Sequence, residues 1–181
     1  MIRRDVLRLS AAATAGMALA TPLAAAVANG RRAGGLVLVD DRFADARTFA
    51  AAARDAGARV LSTGGDVPTL RHGALRDVPL AGLAGLTTYA DMMVIASLAA
   101  EERRSFALRI AHEISHGRTA HRLLDGPVAS IAVLKAARDH WPAGVWTLMA
   151  AAAVDRAPIV SAMHVARGSG RDGALWSWAI A

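Results

Sequence analysis

From Phe106 to His116 the side chains alternate. Phe106, Leu108, Ile110, His112, Ile114 and His116 fall on one parity, and Ala107, Arg109, Ala111, Glu113 and Ser115 fall on the other. An alternation this long matches the two-residue period of a β-strand and not the 3.6-residue period of a helix. It therefore predicts a strand over 106–116. Gly117-Arg-Thr119 would turn the chain, and Ala120 to Leu124 would return as an antiparallel partner closed by Asp125-Gly-Pro127. A chain that contains such a hairpin must also supply a sheet to receive it and helices to cover that sheet.

The preceding residues supply both. Gly35-Leu-Val-Leu-Val-Asp40 is a short, continuous, β-branched apolar run, as expected of a strand buried on both faces. Asp45 is placed to cap a helix over Ala46–Ala56, ended by Gly57. Arg59-Val-Leu-Ser62 reads as a second strand. Together they form a βαβ unit of about 30 residues, whose two strands should be parallel. Pro68–Leu75 suits one short helical turn, and Val78–Leu86 shows no decisive period. Thr87 or Thr88 can cap a helix from Tyr89 to about Arg103. After the hairpin, Val128–Arg138 is amphipathic. Trp141–Val154 is a second helical stretch, expected to break near Pro142. Ile159–Val165 and Ala174–Ile180 read as strands around a flexible Arg167–Gly173 turn. This order predicts one α/β (or α+β) domain with a mixed sheet, an N-terminal parallel βαβ unit and a later β-hairpin.

Residues 1–28 stand apart from that domain. Arg3-Arg4 precedes Asp5-Val6-Leu7-Arg8, an uncharged Ala-rich stretch runs from Leu9 to Ala26, and Ala26-Val27-Ala28 is a small-x-small cleavage site, with Ala24-Ala25-Ala26 as a second. This resembles a twin-arginine export signal, with Val6 in place of the usual Phe and Arg8 in place of the usual Lys. The resemblance implies recognition of Arg3 and Arg4 by the Tat machinery, a periplasmic location for a mature domain over 29–181, and no integral membrane span after cleavage. The alternative is an uncleaved anchor, but the run is Ala-rich and contains Pro22. Loss of these residues lowers the formal charge from +6 to +4. The basic residues are not interleaved with aromatics, and Arg103-Arg104 is answered in sequence by Glu101-Glu102. Nucleic acid is not an expected partner. The chain has no cysteine, which removes disulfides, thiolate metal sites and cysteine nucleophiles from consideration.

Two groups of residues could carry chemistry. The first is the carboxyl edge of the predicted parallel strands, where open α/β sheets bind ligands. Asp40 and Asp41 end one strand there, and Thr63-Gly64-Gly65-Asp66 ends the other. A Gly-Gly turn can aim N–H groups at an anion, and paired aspartates can hold a hard cation. The second is His112-Glu113-Ile114-Ser115-His116, an HExxH sequence. On a helix it would hold zinc through His112 and His116, with Glu113 as general base. With His121, it resembles over about ten residues the active-site helix of membrane-associated gluzincin endopeptidases. That family takes its third ligand from a later glutamate, and no Glu follows Glu113 here. On a strand, by contrast, Glu113 faces away from both histidines, and His112, His116 and His121 become a polar hairpin, solvated or paired across its strands.

There is no GKS or GKT and no GxSxG, which disfavours a P-loop nucleotide site and a nucleophile elbow. Trp141, Trp146, Trp176 and Trp178 are expected mainly in the core, with a partner-binding surface as the alternative. The mature chain is similar to uncharacterised Tat-signal proteins of proteobacteria, through Thr63-Gly-Gly-Asp-Val-Pro-Thr-Leu70, Leu83-Ala-Gly-Leu-Thr87 and Ser177-Trp-Ala-Ile180. That similarity implies an address and no activity. The expectation is a periplasmic binding or accessory protein with no cofactor. The alternative is a zinc-dependent hydrolase using residues 112–116.

Overall fold

The computed structural model describes residues 35–152, 162–167 and 173–181. The signal-like segment, residues 159–161 and most of the 167–173 turn lie outside them. The described residues build one seven-stranded mixed sheet. In chain order its strands are β1 (Leu36–Val39), β2 (Arg59–Ser62), β3 (Ala84–Thr87), β4 (Phe106–Ser115), β5 (Arg118–Asp125), β6 (Ala162–Arg167) and β7 (Gly173–Ile180). Their spatial order is β2-β1-β3-β7-β4-β5-β6. β1 pairs in parallel with β2 and with β3. β7 is antiparallel to β3 and to β4, and β4-β5-β6 continue antiparallel. The mixed α/β fold, the parallel βαβ unit and the later hairpin thus all take the form predicted from sequence.

Among the described residues five α-helices cover the sheet: α1 (Ala44–Asp55), α2 (Val67–His72), α3 (Tyr89–Glu101), α4 (Ala129–Ala137) and α5 (Trp141–Ala152). Two apolar clusters show how they divide between its faces. On one face Val37, Val39, Leu86, Ile110 and Leu175 pack with Phe49 of α1, Leu134 of α4 and Trp141 of α5. On the other, Leu38, Trp178 and Ile180 pack with Val67 of α2 and with Met92 and Ile95 of α3. The alternation of Val37, Leu38 and Val39 between the clusters is the strand period expressed as packing. Full burial of a side chain such as Phe49 contributes about 1.5–3 kcal/mol relative to exposure.

Several boundaries differ from expectation. β3 lies in the stretch that has no period, because a short strand buried on both faces need not alternate; all four of its residues are buried. α1 starts after Phe43, whose extended backbone makes the N-cap without a side-chain bond; Asp45 sits buried in the first turn instead of at the cap. A carboxylate there still meets the positive end of the helix dipole. Thr88 is the cap of α3 and accepts from the Asp91 amide, and Asp66 caps α2. Pro142 does not break the last helix. It occupies the first turn of α5, after a 3₁₀ turn at Arg138–His140, where a missing N–H costs little. The hairpin loop is only His116-Gly117, both at positive φ (52° and 69°), the requirement of a type I′ turn.

Gly85 sets the spacing at the middle of the sheet. A Cβ at that position would lie 2.5 Å from Cζ2 of Trp178 and 2.7 Å from the Leu38 carbonyl oxygen. The indole cannot easily move, because its Nε1–H donates to Thr87 Oγ1 at 3.0 Å. Gly85→Ala should therefore destabilise the protein by about 1–3 kcal/mol through overpacking. Gly73→Ala, where the nearest atom is 3.4 Å away at negative φ, should change stability by no more than about 0.5 kcal/mol. Denaturant midpoints of the two variants test the contrast, and equal midpoints would refute it.

Candidate functional site

At the carboxyl edge, the β2-β1-β3 order places β1 where the chain reverses its direction of winding, the usual ligand crevice of an open sheet. Asp40 is fully buried. Arg42 wraps back onto it, with Nε donating to Oδ1 at 2.8 Å and NH2 to Oδ2 at 2.5 Å. This bond and the Asp40 charge raise the Arg42 pKa above its ordinary value. The guanidinium lies where a Cβ on Gly65 would be, 2.5 Å from that position, so the second glycine of the turn makes room for an arginine.

The remaining polar groups are tied to one another. The Gly64 amide donates to Ser62 Oγ and the Gly65 amide to Thr63 Oγ1, each at 3.2 Å. Thr63 Oγ1 in turn donates to Asp91 Oδ2 at 2.8 Å. Asp66 accepts from the Thr69 amide and hydroxyl, which holds its pKa below the usual carboxylate value. Asp41 is exposed. The edge proposed from sequence is thus a structural network. Neither glycine amide points to an open anion site, and both Asp40 oxygens are taken by Arg42. Sequence reading did not anticipate Arg42 or Asp91. The available signal for Asp91 was its place three residues after the Thr88 cap.

The HEISH residues lie on β4 and its turn, not on a helix. His112 is fully buried, Glu113 is exposed on the opposite face, and His116 sits exposed in the hairpin turn with its Nδ1 2.7 Å from Ser115 Oγ. Glu113 and His112 therefore do not share a site. His112 and His121 do. They are paired across β4 and β5, with Nδ1 atoms 2.7 Å apart, and His112 Nε2 lies 2.8 Å from Ser177 Oγ. Trp141 stacks on His112 with ring centroids 4.5 Å apart. Burial, and then the neighbouring His121, hold the His112 pKa well below its ordinary value.

A third place was missed from sequence. An open cavity of about 450 Å³ lies beside the start of β4 and the end of β5, a volume in the range of small-molecule sites. Ala96 and Ala99 of α3 leave the space, and Arg104, Ser105, Arg109 and Asp125 bring polar groups to it. Arg109 Nε pairs with Asp125 Oδ2 at 2.6 Å, and its guanidinium lies over the Phe106 ring. Arg104 is exposed and has no ion pair among the described residues. The expected sequence-local compensation does not form, because Glu102 faces Arg71 at 3.5 Å and the Leu80 amide at 3.3 Å. Trp141 and Trp178 are core residues, whereas Trp176 is half-buried under the exposed Tyr89 ring. Comparison with protein-family models, curated proteins and solved structures finds no match.

Burial raises the Asp91 pKa above the ordinary carboxylate value, opposed by the Thr63 hydroxyl. A raised folded-state pKa means that the folded protein holds this proton more tightly than the unfolded chain. The associated stability is present below the unfolded pKa and is lost as pH rises through the folded one. Asp91→Asn removes that loss. Relative to wild type, the variant should gain stability between pH 4 and pH 7, as measured by denaturant unfolding at both. A difference that does not change with pH, or that moves against the variant, would refute the assignment.

Proposed function

We propose that the protein is an exported binding module that takes a small anionic ligand with an apolar body in the cavity beside β4. The cavity carries this reading. Asp125 pairs with Arg109, and Arg104 has no ion pair among the described residues, so it is the cation of the cavity lining, which also includes Ala181, that can meet an anion. Ala96, Ala99 and the Phe106 edge offer apolar surface for the body of the ligand. An arginine fork suits a carboxylate or phosphate. Export through the Tat pathway is supported by Arg3-Arg4, the uncharged run to Ala26 and the Ala26-Val27-Ala28 site. No helix among the described residues is long and apolar enough to cross a membrane.

Benzoate and benzylammonium share a ring and differ in charge, which makes them suitable probes. Benzoate should raise the melting temperature of the wild type, and benzylammonium should not. Arg104→Gln should weaken benzoate binding about 10- to 100-fold, the worth of a hydrogen bond to a charged group. Ala96→Phe should fill the cavity and abolish binding while the protein stays folded. Equal responses to the two probes, or benzoate binding unchanged in Arg104→Gln, would overturn the reading. For export, replacing Arg3 and Arg4 with Lys should retain the protein in the cytoplasm; undiminished periplasmic accumulation would exclude the Tat route.

A further inference from the structure

Among the described residues three large apolar side chains are exposed, Tyr89, Met93 and Val128. Two of the three share one face of α3. Helical spacing puts Tyr89, Met93 and Ala96 within about 60° of one another around the axis, and Ala96 lines the cavity. Met92 and Ile95 face the sheet, and Val94 and Leu98 pack against the core from the opposite flank. The exposed pair is therefore not scattered surface apolarity. It continues the cavity wall toward the N-terminus of α3 for about 10 Å, seven residues at about 1.5 Å each.

The stripe ends on an aromatic step. The Tyr89 ring lies against that of Trp176 with centroids 5.1 Å apart, and Trp176 is only half-buried. Trp176 packs with Trp178 and Ile180, so it projects on the α3 side of the sheet. It is directly opposite Ala111 on β4. Ala111 is two residues along that strand from Arg109, about 7 Å, and Arg109 lines the cavity with Asp125. Sheet register and helix spacing thus independently place the aromatic pair beside the cavity. Across β4, Arg122 is opposite Ala111 and Glu113 is diagonal to it, so the aromatic end, unlike the Arg104 end, carries both signs of charge.

We propose that the ligand of the cavity is a medium-chain alkyl carboxylate, with its carboxylate at Arg104 and its chain laid along Ala96 and Met93 to the Tyr89–Trp176 pair. The proposal rests on the reading of the cavity as an anion site. The chemistry of the groove selects the chain. Its α3 wall offers methyl, thioether and aromatic surface, and a thioether adapts to a flexible chain. β4 and β7 are each paired on both sides within the sheet, so they present no free strand edge along the groove. The amides of an extended peptide would lose water there without gaining partners. An alkyl chain has no such groups to satisfy. A second carboxylate at the far end of the chain would lose water against the aromatic step in the same way.

Calorimetric titration of the full chain with straight-chain carboxylates, below their micellar concentrations, tests this. Affinity should rise about 2- to 4-fold for each methylene added from butanoate to octanoate. Octanedioate, which carries a second charge at the far end, should bind about 10-fold more weakly than octanoate. Tyr89→Ala combined with Met93→Ala should weaken octanoate about 10-fold and butanoate less than about 2-fold. Both side chains are exposed, so the double variant keeps its fold. Benzoate separates the two ways of failing. If benzoate does not bind, the cavity reading falls and this inference falls with it. If benzoate binds but octanoate binds no more tightly than butanoate, the alkyl-chain assignment alone is overturned. Octanedioate binding as tightly as octanoate overturns it too. Retention of the protein on phosphatidylglycerol vesicles, lost in the double variant, would assign the stripe to a membrane surface and overturn it as well.

Discussion

The close approach of Trp178 to Gly85 joins two halves of the molecule that local rules alone would leave separate. β2-β1-β3 is a parallel unit with its own helices, and β4-β5-β6 is an antiparallel meander. Among the described strands, only β7 pairs with both. Its seat beside β3 requires a strand position with no Cβ, an indole filling the vacated space, and a threonine two residues later to take the indole N–H. These three conditions come from segments that are about 90 residues apart. Once they are met, Trp178 becomes a core residue of the α2/α3 side, Leu175 and Ala179 enter the opposite core, and Ser177 reaches His112.

The same seam explains where polarity is tolerated. Asp40, Thr63, Thr87, Asp91, His112 and Ser177 are all buried, and each has a named polar partner across an element boundary or a turn. An unpaired buried polar group costs about 1–3 kcal/mol, so each such pair specifies which segment lies beside which. The Asp40–Arg42 and Thr63–Asp91 bonds hold the ends of β1, β2 and α3 together at one rim. The His112–His121–Ser177 set does the same for β4, β5 and β7.

Much of this was legible from residue order. The alternation from Phe106 to His116 identified the long strand, and it correctly separated Glu113 from His112 despite the HExxH spelling. Gly35–Asp40 and Arg59–Ser62 identified the parallel pair. What could not be read locally were features set by tertiary contacts. β3 has no period because both its faces are buried. Pro142 reads as a breaker until the preceding 3₁₀ turn makes it a helix start. The cavity depends on Ala96 and Ala99 lying opposite Arg104 and Asp125, and on Glu102 turning toward Arg71. The pairing of His112 with His121 was one of two readings open to the hairpin; its contact with Ser177, 65 residues away, had no local signal.

The position of β7 has a kinetic consequence. Every other described strand precedes it in the chain, yet it lies between β3 and β4 near the centre of the sheet. Until it is inserted, β3 and β4 each present an open edge of unpaired amides and carbonyls, of the kind that invites another chain to add itself. During synthesis these edges emerge well before the strand that covers them. The chain must pass through a state with two unsatisfied inner edges and can complete its sheet only by a late, long-range closure, the slow class of folding event. Shielding of those edges before β7 arrives is therefore a requirement on the cell that makes the protein, additional to anything the finished fold provides.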